Sequence, residues 1–318
     1  MADQILTLKK AARRQAFLKL GMAAPSGGGK TLGALLIAYG LMKEKYPKAS
    51  DEELWGKIAI IDSENGSGEL YVGSVFHNIQ IGEYGAITLN PPFTAQKYIS
   101  AIDVCEKNGI EVCIIDSTTH LWAGEGGLLD KQNTIAASSK SGNSYVAWRQ
   151  VTPDHNHFVD KMLQSKMHVI ATMRSKVEYV QEKNSEGVTS VRKVGLKPVQ
   201  REGMEYEFTV FLDISDTHVG IASKDRTGLL DGRSFTISPD VGTQLMEWLE
   251  TSTDSAPVVV ADNRNLSDLK KSITHLIKKN EDKKDDYEKV FESHGIHGTM
   301  KDLDLEQAKK LLTDMEAV

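Results

Sequence analysis

Two cysteines in 318 residues, Cys105 and Cys113, are too few for a disulfide framework and fit a reduced, cytosolic setting. No apolar run approaches the roughly 20 residues that a membrane-spanning helix needs. The opening MADQILTLKK also lacks the apolar core of a secretory leader. A soluble, cytoplasmic protein with no membrane partner is the expectation. Internal repeats and collagen-like tracts are missing, which excludes the architectures built from them. His155 and His157 stand two apart without a third ligand at suitable spacing, so no zinc site is expected. Ser/His/Asp catalysis lacks its G-x-S-x-G turn. Positive charge is not in excess either: 38 Lys and Arg against 44 Asp and Glu give a net charge of −6. A nucleic-acid partner would have to meet a local basic patch, or one multiplied in an oligomer.

What is present is ordinary in bulk, 40% hydrophobic and 26% charged, with length for one sizeable domain and a smaller appendage. The organising stretch is Phe17 to Ala38. An apolar run to Ala24 breaks into Pro25-Ser26-Gly27-Gly28-Gly29, then Lys30-Thr31 and a helical apolar pattern. This is a strand, a phosphate-cradling loop and a helix. The glycines turn backbone N–H groups toward the phosphates, the helix N-terminus adds its positive end, Lys30 reaches the outer phosphates, and the Thr31 hydroxyl ligates magnesium. Ala24 replaces the first glycine of G-x-x-x-x-G-K-[ST], which is tolerable where the local φ is negative.

Ile58 to Ile61 reads as a strand buried on both faces, with Glu64 just past its carboxyl end, where a general base could polarise water against a γ-phosphate. A short strand near Ala86 to Leu89 and a helix over about Thr94 to Lys107 follow. Val112 to Ile115 runs into Asp116, an acidic strand end of the kind that holds magnesium opposite Thr31. Residues 121–142 read as a loose connection with a short helix, and 144–164 as a helix interrupted or begun again near Thr152-Pro153. The strand His168 to Thr172 ends at Arg174, placed to sense the γ-phosphate. The segment 175–201 reads as a hairpin carrying Lys176, Lys183, Arg192, Lys193, Lys197 and Arg201, a candidate DNA-gripping loop. Strands over Phe208 to Ile214 and His218 to Ser223 lead to Lys224 and Arg226, which share a face and could act on a neighbouring subunit's nucleotide. The expected domains are 1–250, a linker at 251–265, and a small helical unit at 266–318. Residues 1–16 read as a short solvated helix or a basic arm.

In order, APSGGGKT, IAIIDSEN, VCIIDSTTHL, VIATMRSK and IASKDRTG resemble the RecA-type ATPase core. The resemblance implies that Glu64 is the catalytic glutamate, that Asp116 is the magnesium-side aspartate, and that the segment after VIATMRSK occupies the DNA-loop position of recombinases. SKDRTG resembles the Lys-x-Arg finger of DnaB-type hexameric helicases, implying trans-acting roles for Lys224 and Arg226. As a whole, residues 15–250 look most like the AAA-family ATP-binding proteins of phages and prophages, of the Sak-type RecA-like recombination group.

That resemblance implies an α/β fold, a RecA-like P-loop NTPase core with a mostly parallel central sheet plus a small C-terminal helical unit. It further implies ATP and Mg²⁺ as cofactors, single-stranded DNA as partner, and self-association into a ring or filament with ATP at subunit interfaces. A single-strand-binding protein, reached through the C-terminal unit, is a further expected partner, and a phage-encoded chain would work in the bacterial cytoplasm. Two other readings stay open: a hexameric helicase-like translocase, and a nucleotide-gated adaptor with little turnover.

Overall fold

The computed structural model describes residues 16–138, 144–183, 189–250, 266–279, 283–294 and 304–316, with the backbone alone for 177–195 and for parts of the C-terminal helices. The expected N-terminal arm and the linker at 251–265 lie outside the described residues, apart from Ala16. The chain divides into two compact units, one spanning Arg14–Thr253 and one containing the helices of Asp254–Val318.

In the larger unit, strand β1 (Lys19–Ala24) leads through the phosphate loop into helix α1 (Lys30–Lys45), followed by α2 (Asp51–Trp55) and β2 (Ile58–Asp62). A small hairpin, β3 (Val75–Phe76) and β4 (Ile79–Gln80), precedes β5 (Gly85–Thr88), α3 (Ala95–Lys107) and β6 (Val112–Asp116). Helices α4 (Thr118–Ala123), α5 (Leu128–Ser138) and α6 (Ser144–Gln164) lead to β7 (His168–Lys183) and β8 (Thr189–Pro198). Strands β9 (Val210–Ile214), β10 (Val219–Asp225) and β11 (Ser234–Thr236) precede α7 (Pro239–Glu250).

The main sheet has the order β11-β10-β9-β1-β7-β6-β2-β5. The strands from β9 to β5 pair in parallel, while β10 and β11 add an antiparallel edge. Its continuous apolar runs follow from burial on both faces. Leu20, Met22, Ile58, Ile60, Ile114, Ile170 and Leu212 point into the layer under α1 and α7. Their neighbours Ala23, Ala59, Ile61, Ile115, Val169, Ala171 and Phe211 point into the layer under α3 and α6, as the two-residue strand period requires. Cys105 and Cys113 lie in this second layer as free buried thiols.

Helix α1 meets α7 at backbone contact. A β-carbon on Gly40 would stand 1.9 Å from the Pro239 carbonyl oxygen, and one on Gly242 would stand 2.1 Å from that of Ile37. This approach seats the helix that carries the phosphate loop.

Three segments differ from the sequence reading. β7 does not stop at Thr172 but continues to Lys183, because beyond the sheet it pairs antiparallel with β8 and so keeps its backbone groups bonded. α6 runs unbroken through Pro153. Val151, His155, Phe158 and Met162 are buried along it while Pro153 is exposed, so packing overrides the local preference. The strand expected from His218 begins at Val219 and reaches Asp225, which leaves His218 in the preceding turn with φ 62.

The C-terminal unit contains α8 (Leu266–Lys279), α9 (Lys284–Ser293) and α10 (Leu305–Glu316). They share a small core of Leu269, Ile273, Tyr287, Ala308, Leu311, Leu312 and Met315. Among the described residues no helix is long and apolar enough to cross a membrane.

Gly242→Ala should lower the stability of the larger unit by about 1–3 kcal/mol, since the added methyl meets backbone that cannot move aside cheaply. Urea unfolding followed by circular dichroism reads this directly. Unchanged stability would mean that the α1–α7 contact is looser than described.

Candidate functional site

The carboxyl ends of four neighbouring parallel strands build the site. In register, Ala24 of β1 stands beside Arg174 of β7, and Asp116 of β6 beside Asp62 of β2. The side chains that matter therefore leave the sheet from one edge, where ligands of open α/β sheets bind.

Ala24 is the last residue of β1 and is not among the residues with positive φ. A β-carbon is harmless there, which accounts for the missing first glycine. The left-handed positions are Gly27 at φ 79 and Gly29 at φ 81, where glycine is the residue that fits. Gly28 N–H donates to the Pro25 carbonyl at 3.0 Å and closes the turn. Ser26, Gly27, Gly28, Gly29, Lys30 and Thr31 all line a cavity of about 510 Å³, into which Glu64 also faces. Pro25 shapes the loop from outside that lining.

Asp116 is fully buried. The Thr31 hydroxyl donates to its Oδ2 at 2.6 Å, and the Thr172 hydroxyl donates to its Oδ1. Burial pushes this carboxyl above its ordinary range, and the two hydroxyls and the Lys30 charge offset that only in part. A buried carboxylate that accepts the hydroxyl of Thr31, in the first turn of α1, brings two hard oxygen ligands and a negative charge together, which fits magnesium.

Glu64 sits on a turn pinned by Asp62, whose carboxylate accepts the N–H groups of Glu64 and, at 3.4 Å, of Gly68. Its own carboxylate is engaged. Ser117 Oγ donates to Oε1 at 2.9 Å, Arg174 Nε donates to the same oxygen at 2.9 Å, and Arg174 Nη2 pairs with Oε2. Burial would raise the Glu64 carboxyl, but the hydrogen bonds from Arg174 and Ser117 and the Lys30 charge outweigh it, so the group lies below its ordinary value. Behind it, Ser63 Oγ accepts the Ser117 N–H at 3.0 Å and lies 2.9 Å from His120 Nδ1.

Lys224 and Arg226 do not line the cavity. Both reach the Tyr206 carbonyl, Lys224 by a short contact and Arg226 at 3.4 Å. An irregularity in the β9–β10 pairing at Ala222/Lys224 re-aims this end of β10. Burial and then Arg226 pull the Lys224 ammonium below its usual value.

The candidate DNA residues fall on the β7–β8 ribbon and its foot. Lys176 stands opposite Lys197, Lys183 opposite Thr189, Arg192 opposite Val180, and Lys193 opposite Tyr179. The side chains of Lys183, Arg192 and Lys193 lie outside the described residues. Lys197 Nζ is 3.7 Å from Glu202, and Arg201 Nη1 is 3.4 Å from His155 Nδ1.

Thr172, Ser117 and Ser63 escaped the sequence reading. Each is a small hydroxyl in or just past a buried strand, a signal too common to stand out until strand order places it against a carboxylate.

Residues 16–264 match the family model of an AAA domain, and no curated protein matches the chain.

The raised carboxyl makes Asp116→Asn informative. A folded-state pKa above the unfolded value means that ionisation opposes folding at neutral pH, and that this cost vanishes below the unfolded carboxyl range. The amide variant should therefore melt higher than the native chain at pH 7, with the gap closing toward pH 3. It should also bind magnesium–ATP at least about tenfold more weakly, the equivalent of 1.4 kcal/mol. Scanning calorimetry across pH and titration calorimetry check the two halves, and a lower melting temperature at pH 7 would contradict the first.

Proposed function

The chain belongs to the AAA domain family, a family of P-loop nucleotide-binding ATPases, and from that premise we propose that it is an ATP-hydrolysing, RecA-like protein acting on single-stranded DNA in phage recombination or replication. The observation that carries the reading is the Glu64–Arg174 pair. Arg174 is followed directly by the basic β7–β8 ribbon, so the residue that restrains the base belongs to the strand that would grip DNA.

The phosphates of ATP would lie over Gly27 to Gly29 with Lys30 against the outer two, and Thr31 and Asp116 would hold magnesium. Bound there, the ion neutralises charge on the phosphates and on the leaving oxygen. Glu64, once Arg174 turns from it to the γ-phosphate, takes the proton from a water that attacks in line, and ADP leaves with the electron pair of the broken P–O bond. Arg174 then stabilises the charge that its own departure from Glu64 made productive.

Two further features support parts of this reading. The ribbon holds Lys176 and Lys197 on one rung, which sets two cations side by side where an anionic strand could meet them. Lys224 and Arg226 lie outside the chain's own cavity, which suits action on the nucleotide of an adjacent copy in a ring or filament. The same position also favours a second reading, a hexameric helicase-like translocase, which unwinding of a forked duplex would distinguish from strand annealing.

ATP turnover with and without single-stranded DNA tests the proposal. DNA should stimulate the native chain, Glu64→Gln should lose roughly 100-fold or more in turnover, and a non-hydrolysable ATP analogue should promote assembly on sizing. Mixing Arg226→Ala with Lys30→Ala should restore activity if the finger acts across an interface. Turnover that ignores both DNA and Glu64→Gln would defeat the reading in favour of a nucleotide-gated adaptor.

A further inference from the structure

The bonds on the Glu64 carboxylate divide between its two oxygens. Arg174 Nη2 pairs with Oε2, while Oε1 accepts from Arg174 Nε and from Ser117 Oγ, each at 2.9 Å. In the proposed cycle Arg174 turns away, which opens Oε2 to water and leaves Oε1 on Ser117. The aim of the base then depends on how firmly Ser117 is held.

Ser117 is held through every polar group that it carries. Its N–H donates to Ser63 Oγ at 3.0 Å. Its carbonyl accepts from Ser63 Oγ at 3.1 Å and from Tyr98 Oη at 3.0 Å. Ser63 and Ser117 are both buried, so water does not complete their bonding. A serine hydroxyl has one proton and rotates to suit its neighbours, and a further group must fix its direction. His120 Nδ1, 2.9 Å from Ser63 Oγ, is that group. It lies closer to the hydroxyl than the Ser117 carbonyl at 3.1 Å or the Asp116 carbonyl at 3.3 Å. Either tautomer settles the hydroxyl. A protonated Nδ1 sends the Ser63 proton to the Ser117 carbonyl, and a bare Nδ1 takes that proton and leaves the lone pairs to the Ser117 N–H.

The imidazole is itself fixed. It stacks on the buried Phe93, with ring centroids 5.0 Å apart and planes 20° apart. Burial draws its pKa below the ordinary value, so at neutral pH the ring carries no charge to act on Glu64 or on a phosphate from a distance. His120 is not among the residues lining the cavity. Its influence on the site runs through the two serines.

We propose that His120 is a positioning residue for ATP hydrolysis: through Ser63 and Ser117 it keeps the Glu64 carboxylate aimed, with Oε2 toward the water, once Arg174 has left. This rests on the reading of Glu64 as the general base, and the test separates the two.

Magnesium–ATP turnover by the full chain is compared for His120→Ala, His120→Asn and Ser63→Ala, with His120→Ala also combined with Glu64→Gln. His120→Ala should lower kcat about tenfold while KM for ATP stays within about twofold, as expected of a group that serves the chemical step alone. Asparagine places an amide where the imidazole has Nδ1, able to donate or accept, so His120→Asn should return to within about threefold of native turnover. Ser63→Ala removes the middle of the relay and should lose at least about tenfold in kcat. In the Glu64→Gln background His120→Ala should lower turnover by less than about twofold, because groups that act through one residue are not additive.

Native kcat in His120→Ala or in Ser63→Ala, with Glu64→Gln impaired, would overturn the proposal alone; the serine variant decides this even where His120→Ala does not fold. It would also be overturned by a His120→Asn chain no faster than His120→Ala, or by an undiminished effect of His120→Ala in Glu64→Gln. Native turnover in Glu64→Gln would overturn the general-base reading and this proposal with it.

Discussion

Everything at the sheet edge depends on a carboxylate that the fold disfavours. Asp116 is buried with no cation among the described residues directly bonded to it, held by the hydroxyls of Thr31 and Thr172, and its ionisation opposes folding. The arrangement persists because apolar layers on both faces of the sheet place β6 between β7 and β2 whatever stands at its end. The core thus supplies the stability that the site spends, and the first turn of α1 is tied to the same carboxylate. One hydrogen-bonded contact thus ties the phosphate loop to the end of β6.

A second charge sets the state of the site. Glu64 is well placed to accept a proton from water, yet its oxygens are occupied by Arg174 and Ser117, which lower its basicity as well as its freedom. An arginine in such a pair prefers whichever anion is nearer and less hydrated. On the proposed function, a γ-phosphate arriving beside Lys30 would compete with Glu64 for Arg174. In the proposed cycle, substrate binding and release of the base are one event.

Much of the fold was legible because its strands are buried on both sides and so appear as unbroken apolar runs ending in acids, and because the glycines of the phosphate loop have a conformational reason to be there. Lys30, Thr31, Glu64, Asp116 and Arg174 could be placed at one edge because each follows the carboxyl end of an apolar run. What the sequence concealed is of another kind. The length of β7 depends on a partner strand that is itself only moderately apolar. The continuity of α6 through Pro153 depends on the face that it buries. The turn at His218 gives no local signal, since nothing in Ser-Asp-Thr-His announces a left-handed backbone. These are tertiary facts, written in what the segments touch rather than in what they are.

Strand β7 has a mechanical side. Its 16 residues, about 50 Å at 3.3 Å per residue, belong to two structures at once: seven rungs inside the sheet up to Arg174, then the free ribbon. Within the sheet it is flanked by β1 and β6, both parallel to it. A pull along the ribbon loads both ladders in shear, with many hydrogen bonds sharing the force, instead of peeling them one at a time. Tension would be carried into the sheet without unravelling it, and the first rung to feel it is the one that holds Arg174.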